Sequence, residues 1–157
     1  MTATGAPREH SLSLRFIEFM PLDSARAWLK EMVVSGREIL ARLQARFQLQ
    51  PVAPENPSAT ARRWTFAEGR GEIGIIAPVS EPFCGHCNRL RLTADGKIRT
   101  CLFSVVEHDL RARLRDGATD DDLRDYFQAV AWQKEGRHRI GEPVFTPPSR
   151  SMSCIGG

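Results

Sequence analysis

The sequence predicts an α/β protein that opens with a strand of a parallel sheet and continues into short strands and helices. The first observation is the segment Leu12–Met20, which is mostly apolar and rich in strand-forming residues. A strand exposed on one face would alternate polar and apolar residues, so this pattern indicates burial on both faces, as in parallel sheets covered by helices. The second observation is that helical stripes and strand patterns follow one another from Ser35 to Trp132. Pro21 is expected to end the first strand.

A helix is predicted next, because Ser35 and Glu38 form a capping box. Apolar residues follow on one helical face, namely Ile39, Leu40, Leu43 and Phe47. Segment Gln50–Thr60 then contains three prolines, and this composition predicts a linker between two subdomains.

The region Ala61–Phe103 reads as short strands and turns. Strand patterns occur at Arg63–Phe66, Glu72–Pro78, Leu90–Thr93 and Lys97–Leu102. Asp95-Gly96 between the last two is a strong hairpin signal. Helices are predicted at His108–Arg115 and Asp120–Trp132, with a stripe of Leu123, Phe127 and Val130, and Gly141–Gly157 is predicted to be an irregular tail.

Composition and charge exclude several classes of protein. The chain has 157 residues, enough for one ordinary domain or two small ones, with 41% apolar and 26% charged residues, as in globular proteins. The net charge of +3 is too small for a general nucleic-acid binder, and no apolar run reaches the ~18 residues of a membrane span. The polar segment Met1–Ser11 is not expected to be a secretory signal. We therefore expect a cytoplasmic protein that binds neither nucleic acid nor membranes.

The cysteines are the strongest chemical signal. In a reducing compartment, Cys84, Cys87, Cys101 and Cys154 favour a metal or cluster site over disulfides. Cys84-Gly85-His86-Cys87 is a C-x2-C knuckle, which supplies two thiolates from one turn, and the returning strand of the hairpin can bring Cys101 beside them. Closed structural zinc requires a fourth ligand, which would be His86 or Cys154. A [4Fe–4S] cluster is commonly held by four thiolates, and one held by three would leave an iron open to a small molecule. Spacing leaves both metals open, together with buried thiols that bind no metal.

Two arginines follow the knuckle. If Asn88–Leu92 is a strand, Arg89 and Arg91 point to the same face. Two adjacent guanidinium groups beside a metal suit an anionic ligand such as a polyphosphate. A solvated strand face is the alternative.

Four segments together resemble the molybdenum cofactor biosynthesis protein A family, the radical SAM GTP 3′,8-cyclases. These segments are Leu14–Pro21, Phe83–Thr93, Gly96–Phe103 and the ending Ile155-Gly156-Gly157. The resemblance extends from about Leu12 to the end of the chain, and Lys134 and His138 agree with it. It implies an incomplete, TIM-like α/β barrel, of which residues 1–50 would be a C-terminal remnant. Residues 51–60 would be a linker, 61–145 a small α+β domain that binds an iron–sulfur cluster and GTP, and 146–157 a flexible Gly-Gly tail.

The resemblance also implies roles for individual residues. Cys84, Cys87 and Cys101 would hold a [4Fe–4S] cluster whose open iron meets the guanine of GTP. Arg89, Leu90 and Arg91 would contact GTP. Met20 would contact S-adenosyl-L-methionine at the end of a barrel strand, where barrel sites are expected. Gly156 and Gly157 would reach the catalytic centre, because only glycine lets the backbone approach so closely.

One departure from the family is large. The family's N-terminal cluster, which cleaves S-adenosyl-L-methionine to a radical that acts on GTP, uses a C-x3-C-x2-C motif that this sequence lacks. The chain therefore resembles the C-terminal half of the enzyme, and we expect it to be inactive alone. Because a lone parallel strand has open edges, Leu12–Met20 is expected to pair with the missing N-terminal half or with a second copy.

Two alternatives come from other classes of protein. The first is a non-catalytic zinc-binding or nucleotide-binding module. The second treats Gly156-Gly157 as the end of a ubiquitin-like modifier, although the sequence lacks an evident β-grasp pattern. Iron and sulfide bound to the purified protein would distinguish the cyclase from the zinc module.

Overall fold

The structure is a computed structural model that describes residues 12–22, 27–68 and 70–155. In these residues the chain forms seven strands in two sheets and three α-helices, which confirms the prediction of a mixed α/β protein. The chain divides into two compact units, Met1–Met20 with Leu29–His86, and Pro21–Trp28 with Cys87–Gly157. Residues 51–60, the predicted linker, lie inside the first of these units, and the predicted domain roles stay predictions. None of the helices in the described ranges is long and apolar enough to span a membrane.

The first unit is built on a mixed four-stranded sheet. Its elements are β1 (Ser13–Ile17), α1 (Gly36–Gln44), β2 (Leu49–Val52), β3 (Arg62–Phe66) and β4 (Glu72–Ile76), with 3₁₀ turns at Lys30–Met32 and Cys84–His86. The strand order is β1-β4-β3-β2. β1 pairs in parallel with β4, whereas β3 is antiparallel to both β4 and β2. The predicted strands at Arg63–Phe66 and Glu72–Pro78 are thus confirmed.

Helix α1 begins where the capping signal predicts. The side chain of Ser35 accepts a hydrogen bond of 3.2 Å from the backbone N–H of Glu38, which satisfies one unpaired donor of the first turn. Leu43 is buried in the core, and Ile39, Leu40 and Phe47 pack against it, so the predicted stripe is confirmed. The same core contains Trp64, Phe66, Ile73, Ile75 and Ala77 from the sheet.

Strand β1 is half-exposed, and the prediction that Leu12–Met20 is buried on both faces is wrong. Side chains alternate between half-buried and exposed along Ser13–Ile17, and Ile17 is 56% exposed. The physical reason is that β1 is an edge strand of the described sheet, with β4 as its neighbour on one side. The parallel pairing expected for this strand is confirmed, but its partner is β4 of the same chain.

Strand β2 takes in the first residues of the predicted linker 51–60. Pro51 lies opposite Trp64 in an antiparallel pair. Proline has no N–H to donate, so it is accepted in a strand mainly at a sheet edge, which is where β2 lies. Pro51 is therefore compatible with the strand, although the proline-rich composition predicted a linker here.

The second unit contains a smaller antiparallel sheet with two helices. Its elements are β5 (Arg91–Leu92), β6 (Lys97–Arg99), β7 (His108–Asp109), α2 (Leu110–Arg115), α3 (Asp120–Trp132) and a 3₁₀ turn at Met152–Cys154. β5 and β6 form the predicted hairpin, and Gly96 in its turn has φ +79°, a conformation that favours glycine. α3 has the predicted bounds, with a complete capping box between Thr119 and Asp122.

The core of this unit joins the helices to β6. Ile98, Leu110 and Val130 are buried together, and Leu123 and Tyr126 pack against them. Phe127, predicted to lie on this stripe, is 39% exposed, and Tyr126 packs against the core instead. The stripe is therefore predicted correctly at Leu123 and Val130 only.

Candidate functional site

The three predicted thiol ligands lie on short segments. Cys84 begins a 3₁₀ turn in the first unit, whereas Cys87 and Cys101 belong to the second unit. All three are half-buried cysteines outside any disulfide, and Cys154 is an exposed cysteine that is also outside any disulfide. Among the side chains that the structure describes, no group of three or more His, Cys, Asp or Glu could hold a metal ion. The assignment of Cys84, Cys87 and Cys101 to one centre stays a prediction.

The Cys87 thiol lies in a cationic environment. The guanidinium of Arg89 donates a hydrogen bond to Cys87 Sγ, with an N···S distance of 3.0 Å. Burial acts to raise the pKa of Cys87, but the backbone and side-chain hydrogen bonds of Arg89 and the charges of Arg89 and Lys134 outweigh it, so the pKa is lowered. A lowered pKa favours the thiolate, which is the form that binds metals.

The pKa of Arg91 is influenced by the thiols of both Cys87 and Cys101. Burial lowers the pKa of Arg91, as do the charges of Arg89 and Arg99, while the two thiols act to raise it. The predicted strand Asn88–Leu92 is shorter in the structure, because only Arg91–Leu92 pair with β6. Arg89 precedes β5, so its position is not set by strand alternation with Arg91.

Lys134 and Glu135 make hydrogen bonds to residues that lie close in sequence to Cys87 and Cys101. The Lys134 ammonium donates to the carbonyl of Arg89, with an N···O distance of 2.9 Å, and also to the carbonyl of Thr100. The Thr100 hydroxyl donates to the Glu135 carboxylate at 2.6 Å. Burial acts to raise the pKa of Glu135, but hydrogen bonds from Ser104 and Thr100 lower it. These consecutive residues thus fix the carbonyl and the hydroxyl of Thr100, the neighbour of Cys101.

The loop after Cys101 is held by a buried arginine. Arg99 is 2% exposed, pairs with Glu107 at 3.0 Å and donates to the carbonyl of Ser104. The backbone N–H of Phe103 donates to Cys101 Sγ at 3.5 Å. A groove of about 750 Å³ opens beside Cys101, lined mainly by this loop and by the segments around His138 and Phe145. The thiol of Cys101 therefore borders a space large enough for a small molecule.

The C-terminal tail is tied to the hairpin turn. Arg150 makes a two-pronged ion pair with Asp95, with distances of 3.0 and 2.8 Å, and a third contact of 3.1 Å to Glu107. Ile155 is fully buried. Gly156 and Gly157, the predicted catalytic glycines, lie outside the described residues.

Met20 is half-buried and follows β1 in the first unit. Arg15 on this strand and Glu18 just after its end both have polar partners. Arg15 pairs with Glu72 of the neighbouring strand at 2.7 Å. Glu18, 2% exposed, accepts hydrogen bonds from several backbone N–H groups. These contacts satisfy polar groups that would otherwise be costly to bury.

The sequence singled out the thiols and the arginines, whose grouping at one centre stays a prediction, but it did not indicate the residues that hold them. The structure shows an electrostatic influence of Arg89 on Cys87 and of Cys87 and Cys101 on Arg91. The role of Lys134 was missed, although a lysine directly after a helix that carries an apolar stripe is a visible signal. The pair of Arg150 with Asp95 had no local signal, because the two residues lie 55 positions apart.

Comparison with known proteins identifies relatives of this chain. A family model described as Molybdenum Cofactor Synthesis C matches residues 12–140. Proteins named GTP 3′,8-cyclase are similar to the chain over 95% of its length, with 45% identity for that of Streptomyces coelicolor, 51% for Rhodopirellula baltica and 46% for Mycolicibacterium smegmatis. The chain covers 44%, 42% and 42% of these relatives, respectively, and so spans less than half of their length.

Proposed function

Because the chain belongs to the Molybdenum Cofactor Synthesis C family, we propose that it is the C-terminal portion of a GTP 3′,8-cyclase. The whole enzyme would convert GTP to (8S)-3′,8-cyclo-7,8-dihydroguanosine 5′-triphosphate in molybdenum cofactor biosynthesis. The observation that carries the proposal is the thiol of Cys87 held by the Arg89 guanidinium, inside the matched residues 12–140. A thiolate beside cationic groups is the arrangement expected at a centre that binds metal and an anionic substrate.

In this proposal Cys84, Cys87 and Cys101 hold a [4Fe–4S] cluster. The donor chemistry fits, because iron–sulfur clusters take thiolate ligands and none of these three cysteines is in a disulfide. A cluster of four irons is also larger than a single ion, so its ligands stand farther apart than those of one metal ion. The charges of Arg89 and Lys134 favour the thiolate of Cys87. When bound through three thiolates, the cluster supplies an iron with an open position for a substrate atom.

GTP is the proposed substrate, and Arg89, Leu90 and Arg91 are its proposed contacts. Guanidinium groups bind phosphate and carbonyl oxygens through paired hydrogen bonds. The thiols of Cys87 and Cys101 influence the pKa of Arg91, and a nucleotide bound by Arg91 would lie near the proposed cluster. These residues would bind and orient GTP.

The remaining assignments concern the rest of the enzyme. Residues 1–50 would be the remnant of a TIM-like barrel, 51–60 a linker, 61–145 the cluster and GTP domain, and 146–157 a flexible tail. Met20 would contact S-adenosyl-L-methionine, whose own cluster would belong to the N-terminal half of such an enzyme. Gly156 and Gly157 would reach the catalytic centre. The partner would be that N-terminal half or a second copy, in the cytoplasm.

Anaerobic reconstitution of the full chain with iron and sulfide tests the cluster. We expect about four irons per chain, with loss of iron in the variants Cys84→Ser, Cys87→Ser and Cys101→Ser. Cys154→Ser is the matched control, because its thiol is exposed and has no assigned role. A colourless protein that holds about one zinc instead would contradict the proposal.

A nucleotide titration of the reconstituted chain tests the substrate. We expect Arg91→Gln to weaken GTP binding by about tenfold or more, since hydrogen bonds to charged groups contribute that much. Arg113→Gln is the control, because Arg113 stacks over Tyr126 and contacts none of the proposed GTP residues in the described structure. Equal affinities of both variants for GTP would exclude Arg91 as a contact. Incubated with S-adenosyl-L-methionine and reductant, the chain alone is expected to form no 5′-deoxyadenosine.

A further inference from the structure

Lys134 connects two backbone segments that each lie next to a thiol. Its ammonium donates to the carbonyl of Arg89 at 2.9 Å and to the carbonyl of Thr100. Arg89 lies two residues after Cys87, and Thr100 directly precedes Cys101. One side chain therefore joins the backbone beside Cys87 to the backbone beside Cys101.

The position of Lys134 relative to the β5–β6 hairpin explains what this contact does. The hairpin is closed at one end by its turn, where the Thr93 N–H donates to the Lys97 carbonyl at 2.9 Å. The last pair at the other end is Arg91 with Arg99. Beyond that pair the backbone segments on either side of the hairpin continue toward Cys87 and Cys101. Lys134 bridges them at this open end, where strand pairing has stopped.

The core of the second unit places Lys134 there. Val130, in the last turn of α3, is buried against Ile98 of β6. The N–H of Lys134 donates to the carbonyl of Ala131 at 3.1 Å, so Lys134 continues directly from the helix end. Thr100 follows β6 by one residue and is 1% exposed. Packing of α3 on β6 thus fixes the distance between Lys134 and the carbonyls that its ammonium group contacts.

A lysine at a helix end has a common alternative role. Such side chains often cap the last carbonyls of their own helix. The carbonyls that Lys134 contacts belong to the hairpin, so helix capping does not account for its position. Glu135 supports the same region, since it accepts a hydrogen bond from the Thr100 hydroxyl at 2.6 Å.

We propose that Lys134 is a positioning residue that closes the open end of the β5–β6 hairpin and fixes the spacing between the backbone at Cys87 and the backbone at Cys101. The inference rests on the proposed function, in which both cysteines are cluster ligands. The consequence of this role is that, without the ammonium group, the backbone segments beside Cys87 and Cys101 open locally before the rest of the second unit unfolds.

The test compares Lys134→Met with the full wild-type chain. Methionine keeps much of the aliphatic stem and removes the donors. Lys97→Met is the matched control, because Lys97 lies in the same hairpin and pairs with Asp109 instead. Amide hydrogen exchange is measured first, without iron. We expect exchange at Arg91 and Arg99 to accelerate about tenfold in Lys134→Met, the effect of losing a hydrogen bond from a charged donor, and exchange at Thr93 to stay unchanged.

Iron retention is measured second, after anaerobic reconstitution and addition of a chelator. We expect Lys134→Met to lose iron faster than wild type and Lys97→Met to lose it at the wild-type rate. Equal acceleration of exchange at both ends of the hairpin would overturn the proposal, as would wild-type iron retention in Lys134→Met.

The two measurements also separate this inference from the proposed function. A wild-type chain that binds no iron contradicts the cluster, while the exchange comparison still decides the role of Lys134. If Lys134→Met does not fold, Lys134→Gln, which shortens the side chain and removes its charge, takes its place with the same expectations.

Discussion

The carboxylate of Glu18 accepts a hydrogen bond of 2.7 Å from the backbone N–H of Gly36, the first residue of helix α1. Its other oxygen accepts from the N–H groups of Val79 and Ser80, at 2.8 and 2.9 Å. One buried side chain therefore joins the end of β1 to the start of α1 and to the loop after β4. A carboxylate has only acceptor oxygens, so it matches a set of converging N–H donors.

We expect Glu18→Gln to destabilise the chain by about 2 kcal/mol, because the amide nitrogen cannot accept a hydrogen bond and leaves buried N–H groups unpaired. Urea unfolding at neutral pH measures the change. Glu38→Gln is the control, since the exposed pair of Glu38 with Arg42 on α1 is expected to contribute less than about 1 kcal/mol. Equal midpoints for the two variants would contradict the role given to Glu18.

Gly36 is also required by the packing of α1 on the sheet. A Cβ atom at this position would lie 2.8 Å from Ala77 Cβ and 2.9 Å from Ile75 Cγ2. Alanine normally favours a helix by about 1 kcal/mol over glycine, but overpacking a core costs about 1–3 kcal/mol. We therefore expect Gly36→Ala to lower the melting temperature.

Gly85→Ala is the matched control for Gly36→Ala, because a Cβ at Gly85 has open space around it. It is expected to leave the melting temperature close to that of the wild type. If Gly36→Ala instead stabilises the chain, helix propensity outweighs the contact and the packing argument is wrong.

Local signals predicted the elements well, and tertiary placement accounts for what they missed. The cap at Ser35 and the turn at Gly96 depend on a few neighbouring residues, so the sequence predicts them. The exposure of Ile17 depends on which strand lies beside β1, and Pro51 is accepted because β2 is an edge strand. Neither the exposure of Ile17 nor the acceptance of Pro51 is determined by its neighbours in the sequence.

The candidate site shows the same limit. Cys87 and Arg89 are two positions apart, and their hydrogen bond follows from local chain geometry. Lys134 reaches Arg89 across 45 positions, and only the packing of α3 on β6 brings them together. Residue types thus indicated the chemistry, whereas the residues that hold the site became visible only in three dimensions.

The hairpin turn gives a third prediction. Gly96 has φ +79°, and a Cβ there would lie 2.7 Å from Arg111 Cβ on helix α2. We expect Gly96→Ala to destabilise the chain by more than about 1 kcal/mol, because both the backbone conformation and the contact oppose a side chain. Thermal unfolding of the variant and the wild type measures this loss of stability.

Gly136→Ala serves as the control for Gly96→Ala, since nothing lies near its Cβ position. A Gly96→Ala chain as stable as Gly136→Ala would show that the turn tolerates a side chain.

The fourth prediction concerns the Asp95–Arg150 pair and its dependence on pH. Hydrogen bonds from Arg150, and then from Thr93, lower the pKa of Asp95 well below its usual value of 3.8. A folded-state pKa below the unfolded one means that the carboxylate stabilises the fold above about pH 4, and that this contribution is lost as the pH falls further. Arg150→Gln should therefore be less stable than wild type at pH 7, and the difference should shrink below pH 4.

Urea unfolding from pH 2.5 to 7 measures that difference, and hydrogen exchange at Met152, whose N–H donates to the Leu22 carbonyl at 3.2 Å, reports the tail directly. We expect faster exchange there in Arg150→Gln at pH 7, because Arg150 ties the tail to the hairpin turn. Arg124→Gln is the control, since the pair of Arg124 with Asp121 lies exposed on α3. A stability difference that stays constant over this pH range would assign the effect of Arg150 to packing of its stem rather than to the ion pair.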